Sequence, residues 1–479
     1  MNRRNGTLLA GPLLFALIAL LPAPAGLPFS AQLTAGIALW MALWWIGEVV
    51  DTAVTGLLPL VLFPLCGILP LKIVSAEYGN EILFLFLGGF FFGKAIERWQ
   101  LHRRIALRLV SWLGTNPART VFGFMVATGF ISMWISNTAT AVMMTPVAIA
   151  VAQSTVTDDS KGQTNFCKAL LLGVGYACSI GGLGTIVGTP TNAIFISFVQ
   201  QKMGTTVSFW QWFLFGFPFC ATLLVACWFL LVRAFPLPKA FQINAVNNQP
   251  LQAELAALGN ITLPERRLLW LFGTVIVAWI TGSLLWYSWW PNCNDTVVMM
   301  SGALLLFLIP ADRANPSTPL LDWPTALRIP WGIILLFGGG LALAKGFDQS
   351  GLAIWVGDAM RGLNALPHVL IIFVVLAVVV LLSEVTSNIA TASMMMPLLA
   401  ALSVSIGVQP LALLLSATFA ASFGFGLPVA TAPNSIVYAS GYLTTRDMAR
   451  AGFVLDLVAI LLLLAFLYGL LPWVWGIHV

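Results

Sequence analysis

Apolar runs of about twenty residues recur from one end of this 479-residue chain to the other. A helix needs roughly that many to cross ~30 Å of hydrocarbon. Composition removes the alternative of a large soluble core. Only 22 residues are basic and 17 acidic, whereas a soluble chain of this size would carry on the order of 120 charges. No water-facing surface can be built from so few. Soluble enzyme, nucleic-acid binder and disordered chain are thereby set aside. The expected fold class is an all-α polytopic membrane protein with the lipid bilayer as its main partner, and its rare polar residues become the informative ones.

Simple spans are expected near 8–25, 32–49, 53–71, 80–97, 208–233, 268–288, 296–310, 331–347 and 452–475. The stretches 118–152, 168–198, 366–406 and 410–440 are too long for one crossing and carry polar interruptions. Polar linkers fall at 154–166, 235–263 and 311–328. The segment Leu8–Leu21 behind Met1–Arg4 reads as an uncleaved first helix, because the apolar pattern continues into further spans. With a cytoplasmic N-terminus and two hairpins that enter and return on one side, seventeen loop lysines and arginines lie inside. Only Lys72, Lys202 and Arg361 lie outside. That bias supports eleven crossings, two re-entrant hairpins and an external C-terminus.

The chain repeats itself. At an offset of 251, Leu87-Gly88-Gly89 and Lys94 fall on Gly338-Gly339-Gly340 and Lys345. At the same offset Ser132, Ser136-Asn137, Thr140 and Pro146 fall on Ser383, Ser387-Asn388, Thr391 and Pro397. The offset then becomes 242, and Gly182, Gly184, Thr189 and Asn192 fall on Gly424, Gly426, Thr431 and Asn434. An odd number of crossings between the copies makes them inverted, the architecture of secondary transporters with a midplane site.

Two polar elements, each present twice, are the candidate site. Ser136-Asn137-Thr138-Ala139-Thr140 sits mid-way along a 35-residue apolar stretch. Each leg of about 16 residues reaches roughly 24 Å, short of a crossing, so a helix–turn–helix hairpin with the motif at its tip is expected. A tip at mid-membrane leaves backbone groups unpaired unless something binds them. The half-helix N-terminus offers N–H donors to an anion, while freed carbonyls and Ser/Asn oxygens suit a small hard cation such as Na⁺. Ser387-Asn388-Ile389-Ala390-Thr391 repeats this from the other side. The second element is Gly188-Thr189-Pro190-Thr191-Asn192, matched by Ala430-Thr431-Ala432-Pro433-Asn434, where glycine and proline should unwind a helix. One such motif alone would serve helix packing; two elements, each doubled in register, point to binding.

Other residues invite blander readings. Glu48 and Asp51 read as interfacial caps, Glu384 as a structural acceptor, and Lys94 and Lys345 as snorkelling cations. Arg98–Trp112 is an amphipathic interfacial helix. The cysteines (Cys66, Cys167, Cys178, Cys220, Cys227, Cys293) show no C-x-x-C spacing, and His102, His368 and His478 lack a metal-ligand partner. No phosphate loop or nucleophile–base arrangement supports an enzyme.

At the paired Ser-Asn-Thr motifs the chain resembles the divalent-anion:sodium symporter family of dicarboxylate, citrate and sulfate carriers. Ala421–Val437 looks like that family's C-terminal pattern, and the likeness extends through Phe86–Phe90 and Pro330-Trp331-Gly332. The resemblance implies an inverted-repeat homodimer whose transport part moves as an elevator against a scaffold. On that division residues 1–79 and 264–330 are scaffold helices. Residues 80–234 and 331–479 are the transport elements of the two repeats, each with a closing helix, and 235–263 is a cytoplasmic linker. Carried over residue by residue, one Na⁺ would meet Ser132, Ser136, Asn137 and Gly188, and a second Ser383, Thr386, Ser387, Asn388 and Ala430. Substrate carboxylates would meet Asn137, Thr138, Pro190, Ser387, Asn388 and Thr431, with Ile389 beside them. The departure is Ile389, where bacterial dicarboxylate members repeat threonine; Ala432 in place of proline is a smaller one.

The resulting expectation is a sodium-coupled importer of divalent organic anions, taken as C4-dicarboxylates such as succinate, malate or fumarate. It has Na⁺ as co-transported ion, no organic cofactor, and a bacterial inner membrane as its place. The alternatives are a sodium-independent dicarboxylate exchanger, a citrate or sulfate carrier of the same family and, from another class, an anion channel.

Overall fold

The structure, a computed structural model, describes residues 3–111, 116–154, 160–238, 258–290, 292–313, 315–360, 362 and 366–477. Most of the expected linker at 235–263 lies outside the described residues, as do Arg361 and His478. Among the described residues the only β feature is an isolated bridge between Pro310 and Pro319; the rest is helix and connection.

After α1 (Arg3–Leu20), the first copy runs α2 (Phe29–Gly47), α3 (Thr52–Thr55), α4 (Leu58–Leu65), α5 (Leu71–Glu77) and α6 (Glu81–Arg98). It continues with α7 (Leu101–Ser111), α8 (Pro117–Ser132), α9 (Asn137–Ser154), α10 (Ser160–Gly182), α11 (Pro190–Met203) and α12 (Phe209–Ala234). The second copy runs α13 (Leu263–Thr281), α14 (Asp295–Leu308), α15 (Trp323–Ala326), α16 (Trp331–Ser350) and α17 (Leu352–Ala359). Then come α18 (His368–Val385), α19 (Asn388–Ser405), α20 (Pro410–Ala420), α21 (Ala432–Ala439), α22 (Thr445–Gly469) and the short α23 (Leu471–Trp475). Seven described helical stretches are long and apolar enough to cross a membrane, and the protein is a multi-pass, all-helical membrane protein.

Local chemistry sets the element ends. Asn116 accepts from the N–H groups of Ala118 and Arg119, with Pro117 at the first helical position of α8. There a missing donor costs nothing. Asn80 caps α6, and Ser208 and Thr444 open α12 and α22 with capping boxes. The span expected at 53–71 comes out shorter and divided into α3 and α4. Pro59 has no N–H to donate back one turn, so the ladder is interrupted there.

The copies interlock. Helix α6 packs on α14 of the other copy, and α16 on α3 and α4 of the first. Helix α11 lies against α19, α21 against α9, and the closing helices α12 and α22 against each other. The glycines aligned by the repeat make these crossings possible: a Cβ on Gly339 would stand 2.1 Å from the Gly56 carbonyl oxygen.

Candidate functional site

At the tip of the first hairpin the chain leaves α8 at Ser132, turns, and re-enters helix at Asn137. The second hairpin turns between Val385 and Asn388. Ser132 is fully buried, and its Oγ lies 2.8 Å from Asn137 Oδ1 and 2.7 Å from the Cys178 carbonyl oxygen. Ser383, also fully buried, lies 2.9 Å from Asn388 Oδ1 and 2.5 Å from the Ala421 carbonyl oxygen. A hydroxyl has one proton and cannot satisfy both acceptors. Each hairpin tip therefore gathers more oxygen than hydrogen, in the same geometry, twice.

Between α10 and α11 the helix is unwound from Leu183 to Thr189, and between α20 and α21 from Ala421 to Thr431. Asn192 staples the first loop by donating from Nδ2 to the carbonyls of Gly182 (3.0 Å) and Thr185 (2.8 Å). Asn434 does the same to Gly424 (2.9 Å) and Leu427 (3.0 Å). The Oδ1 atoms of both are buried without a partner. Both residues belong to the second polar element read from the sequence, where they recur at the offset of 242, but neither carried an assigned ion or substrate contact. Glycine is needed where loop and tip meet. A Cβ on Gly182 would stand 2.8 Å from Asn137 Oδ1, and one on Gly188 2.5 Å from the Gly182 carbonyl oxygen.

A cavity of about 350 Å³ lies between the two tips and the two loops. Ser136, Asn137, Thr138, Gly188 and Pro190 line it from the first copy, and Ser387, Asn388, Ile389, Ala430 and Thr431 from the second. The remaining expected site residues, Ser132, Ser383 and Thr386, are buried and do not line it. The Thr386 hydroxyl is engaged by Thr391 Oγ1 at 2.5 Å and the Leu382 carbonyl at 2.9 Å. Helices α9, α11, α19 and α21 all begin at this cavity, so four N-terminal dipole ends converge on it. Glu48, Lys94, Glu97 and Pro330 also line it, and Lys94 is held by Glu97 at 2.6 Å. Asp51 caps α3 through the Ala53 N–H at 2.8 Å, as read from sequence.

Among the described residues no cluster of three His, Cys, Asp or Glu side chains could hold a metal ion. The available donors are hydroxyl, amide and carbonyl oxygens, hard ligands that suit an alkali cation.

The sodium:sulfate symporter transmembrane region matches residues 3–477 of the chain. The chain belongs to the divalent-anion:sodium symporter family. It is 40% identical to the sodium-dependent dicarboxylate transporter SdcS of Staphylococcus saprophyticus, over 98% of this chain and 92% of the relative. The same identity and coverage hold for SdcS of Staphylococcus aureus strain MRSA252. Its fold is similar to that of Neisseria gonorrhoeae MtrF, with a TM-score of 0.58 at 12% identity over 85% of this chain and 84% of the other. For the Alcanivorax borkumensis YdaH transporter the TM-score is 0.58 at 13% identity, over 93% and 99%. As a member of a transporter family the chain is a membrane carrier and not an enzyme.

Proposed function

We propose that this symporter-family member imports divalent organic anions with sodium, and that C4-dicarboxylates such as succinate, malate or fumarate are its substrates. The observation that carries the reading is the doubled oxygen cluster at the hairpin tips, bordering one cavity that four helix N-termini face. One Na⁺ is assigned to Ser132, Ser136, Asn137 and Gly188, the other to Ser383, Thr386, Ser387, Asn388 and Ala430. The substrate carboxylates are assigned to Asn137, Thr138 and Pro190 on one side and Ser387, Asn388 and Thr431 on the other. The names of the SdcS relatives support both the ion and the substrate class.

The mechanism is ordered. Sodium binds first, draws the tip oxygens together and adds positive charge beside the helix N-termini. The dianion then enters a field that Lys94, committed to Glu97, does not supply alone. Full loading permits the hairpins and broken helices to move as an elevator against the scaffold helices of 1–79 and 264–330; a half-loaded site does not move readily. With the N-terminus cytoplasmic, as the loop charges favour, Glu48, Lys94 and Glu97 stand on the inner side and the cavity opens inward. We assign the protein to the bacterial inner membrane as a homodimer.

Succinate uptake into proteoliposomes with and without an inward Na⁺ gradient tests this. Uptake that depends on the gradient and saturates supports symport; uptake unaffected by removing Na⁺ sinks it. Competition by malate, fumarate, citrate and sulfate ranks the substrates.

A further inference from the structure

A second cavity, of about 370 Å³, lies away from the site, among the ends of α11, α16, α17 and α19. It is as large as the central one and within the size of small-ligand pockets. Lys202, Asp348, Asp358 and Ser405 line it from the last turns of those four helices. Farther back the lining is apolar, with Phe198 of α11 and Pro397, Ala400 and Ala401 of α19. The helix from Pro397 to Ser405 rises about 12 Å, close to one leaflet's half of the ~30 Å hydrocarbon. Ile354 and Val404 also line the cavity and are 71% and 77% exposed, so it opens sideways to lipid. On the charge-based orientation its charged end lies at the outer rim. Charged at the rim and apolar toward the midplane, it has the polarity of an outer-leaflet phospholipid.

The rim chemistry narrows the headgroup. Lys202 pairs with Asp348, and Asp358 adds a second carboxylate, so an anionic lipid would bring negative charge to a rim already in excess of it. Ser405 Oγ is buried without a partner, and a hydroxyl can donate to an ester carbonyl. We propose that this cavity is a site for a glycerophospholipid with an amine headgroup. Its phosphate meets Lys202, its ammonium Asp358, and its chain runs along Ala400 and Ala401. The copies differ here: at the offset of 251 the larger Ile149 and Gln153 stand where the second copy has Ala400 and Val404, and Gln153 donates to the Tyr442 hydroxyl at 2.9 Å. Helices α7 and α17 hold matching places in the repeat, yet α7 packs on α8, the first leg of its hairpin, and α17 on α19, the second. Alternation of inverted repeats exchanges such contacts, which would take α17 off α19 and dismantle the cavity wall. A bound lipid therefore holds the present state and slows transport. That consequence rests on the carrier reading above; the lipid site does not.

Native mass spectrometry of the purified carrier, incubated in turn with phosphatidylethanolamine, phosphatidylcholine and phosphatidylglycerol, tests the site. Phosphatidylethanolamine should be retained best, and its adduct should fall at least roughly fivefold in Asp358→Asn, which removes the ammonium's partner. Val404→Trp, at an exposed position, should block the opening and lower it as far, with size-exclusion profiles unchanged. Equal retention of the three lipids, or an adduct unchanged in either variant, overturns the proposal. Sodium-driven succinate uptake into proteoliposomes should be slower with phosphatidylethanolamine than with phosphatidylcholine in the wild type, and equal in Val404→Trp. Equal wild-type rates overturn the effect on transport. A headgroup-selective adduct with no sodium-driven uptake in either lipid keeps the site and overturns the symport reading.

Discussion

Replacing Asn137 or Asn388 by alanine removes the Oδ1 that faces Ser132 or Ser383 and a side chain that lines the cavity. Hydrogen bonds and ligation to charged groups contribute ~1.5–3 kcal/mol each, so sodium-driven succinate uptake should fall at least roughly tenfold. Size-exclusion and melting profiles should stay near wild type, because neither side chain fills the core. Normal uptake by either variant would remove that residue from the site. Ile389→Thr puts a hydroxyl beside Asn388 in the cavity wall. It should change the ranking of dicarboxylates in a competition panel while leaving the sodium dependence of uptake in place; an unchanged ranking counts against a substrate role there. The Ser-Asn pairs were legible because they stand at the middle of apolar stretches. Asn192 and Asn434 were harder to read as site residues: nothing in the chain says that an asparagine two residues into a helix reaches back to staple the loop before it.

The unwound loops and hairpin tips set the site, but elements farther off hold its state. The last turns of α11 are tied to other elements by four polar contacts. Ser197 Oγ donates to Asn80 Oδ1 at 3.0 Å, Gln200 to Glu81, Gln201 to Glu77, and Lys202 pairs with Asp348. On the charge-based orientation all four lie on the outer side, opposite the cavity mouth. Lys202→Ala should shift the population away from the inward-open state. An exposed pair contributes up to ~1 kcal/mol, which is about fivefold. Labelling of Val429→Cys, a cavity residue 76% exposed, from the cytoplasmic side should fall accordingly; unchanged labelling would show that this pair does not hold the outer side. A second tie joins α7 to the start of α13. Arg104 donates to Glu265 Oε1 at 2.8 Å, to Gly259 and Leu258 carbonyls at 2.8 and 2.7 Å, and to Asn260 at 3.2 Å. Both side chains of the pair are buried. Arg104→Ala strands Glu265 and should cost about 3–5 kcal/mol, seen as a lowered melting temperature. The amphipathic character of α7 was legible, but its partner 161 residues away was not.

At the scale of the whole molecule, acid stability follows ion pairs at helix ends, such as that of Arg98, the last residue of α6, with Asp322, the cap of α15. The Asp322 carboxyl is held below the usual carboxylate range, first by its hydrogen bond to Thr325 and then by Arg98 at 2.8 Å. A carboxylate so held adds stability above its unfolded value, about 3.8, and loses it as pH falls below that. Asp322→Asn should therefore narrow the gap between melting temperatures at pH 7 and pH 3. A gap equal to wild type would show that this pair contributes nothing. The sequence alone determined membrane residence, helical class, the doubling of the chain and the polar residues at its interruptions. Each follows from local rules: the length of hydrocarbon to cross, the scarcity of charge, and the cost of unpaired backbone in lipid. Only the tertiary structure decided that the copies interlock, that ten of the thirteen expected site residues line one cavity while Ser132, Ser383 and Thr386 are buried outside its lining, and that Glu384 accepts the Gly426 and Leu427 N–H groups of the second broken helix. Those outcomes depend on which faces of distant helices touch, and a periodicity read along one helix carries no record of its neighbour.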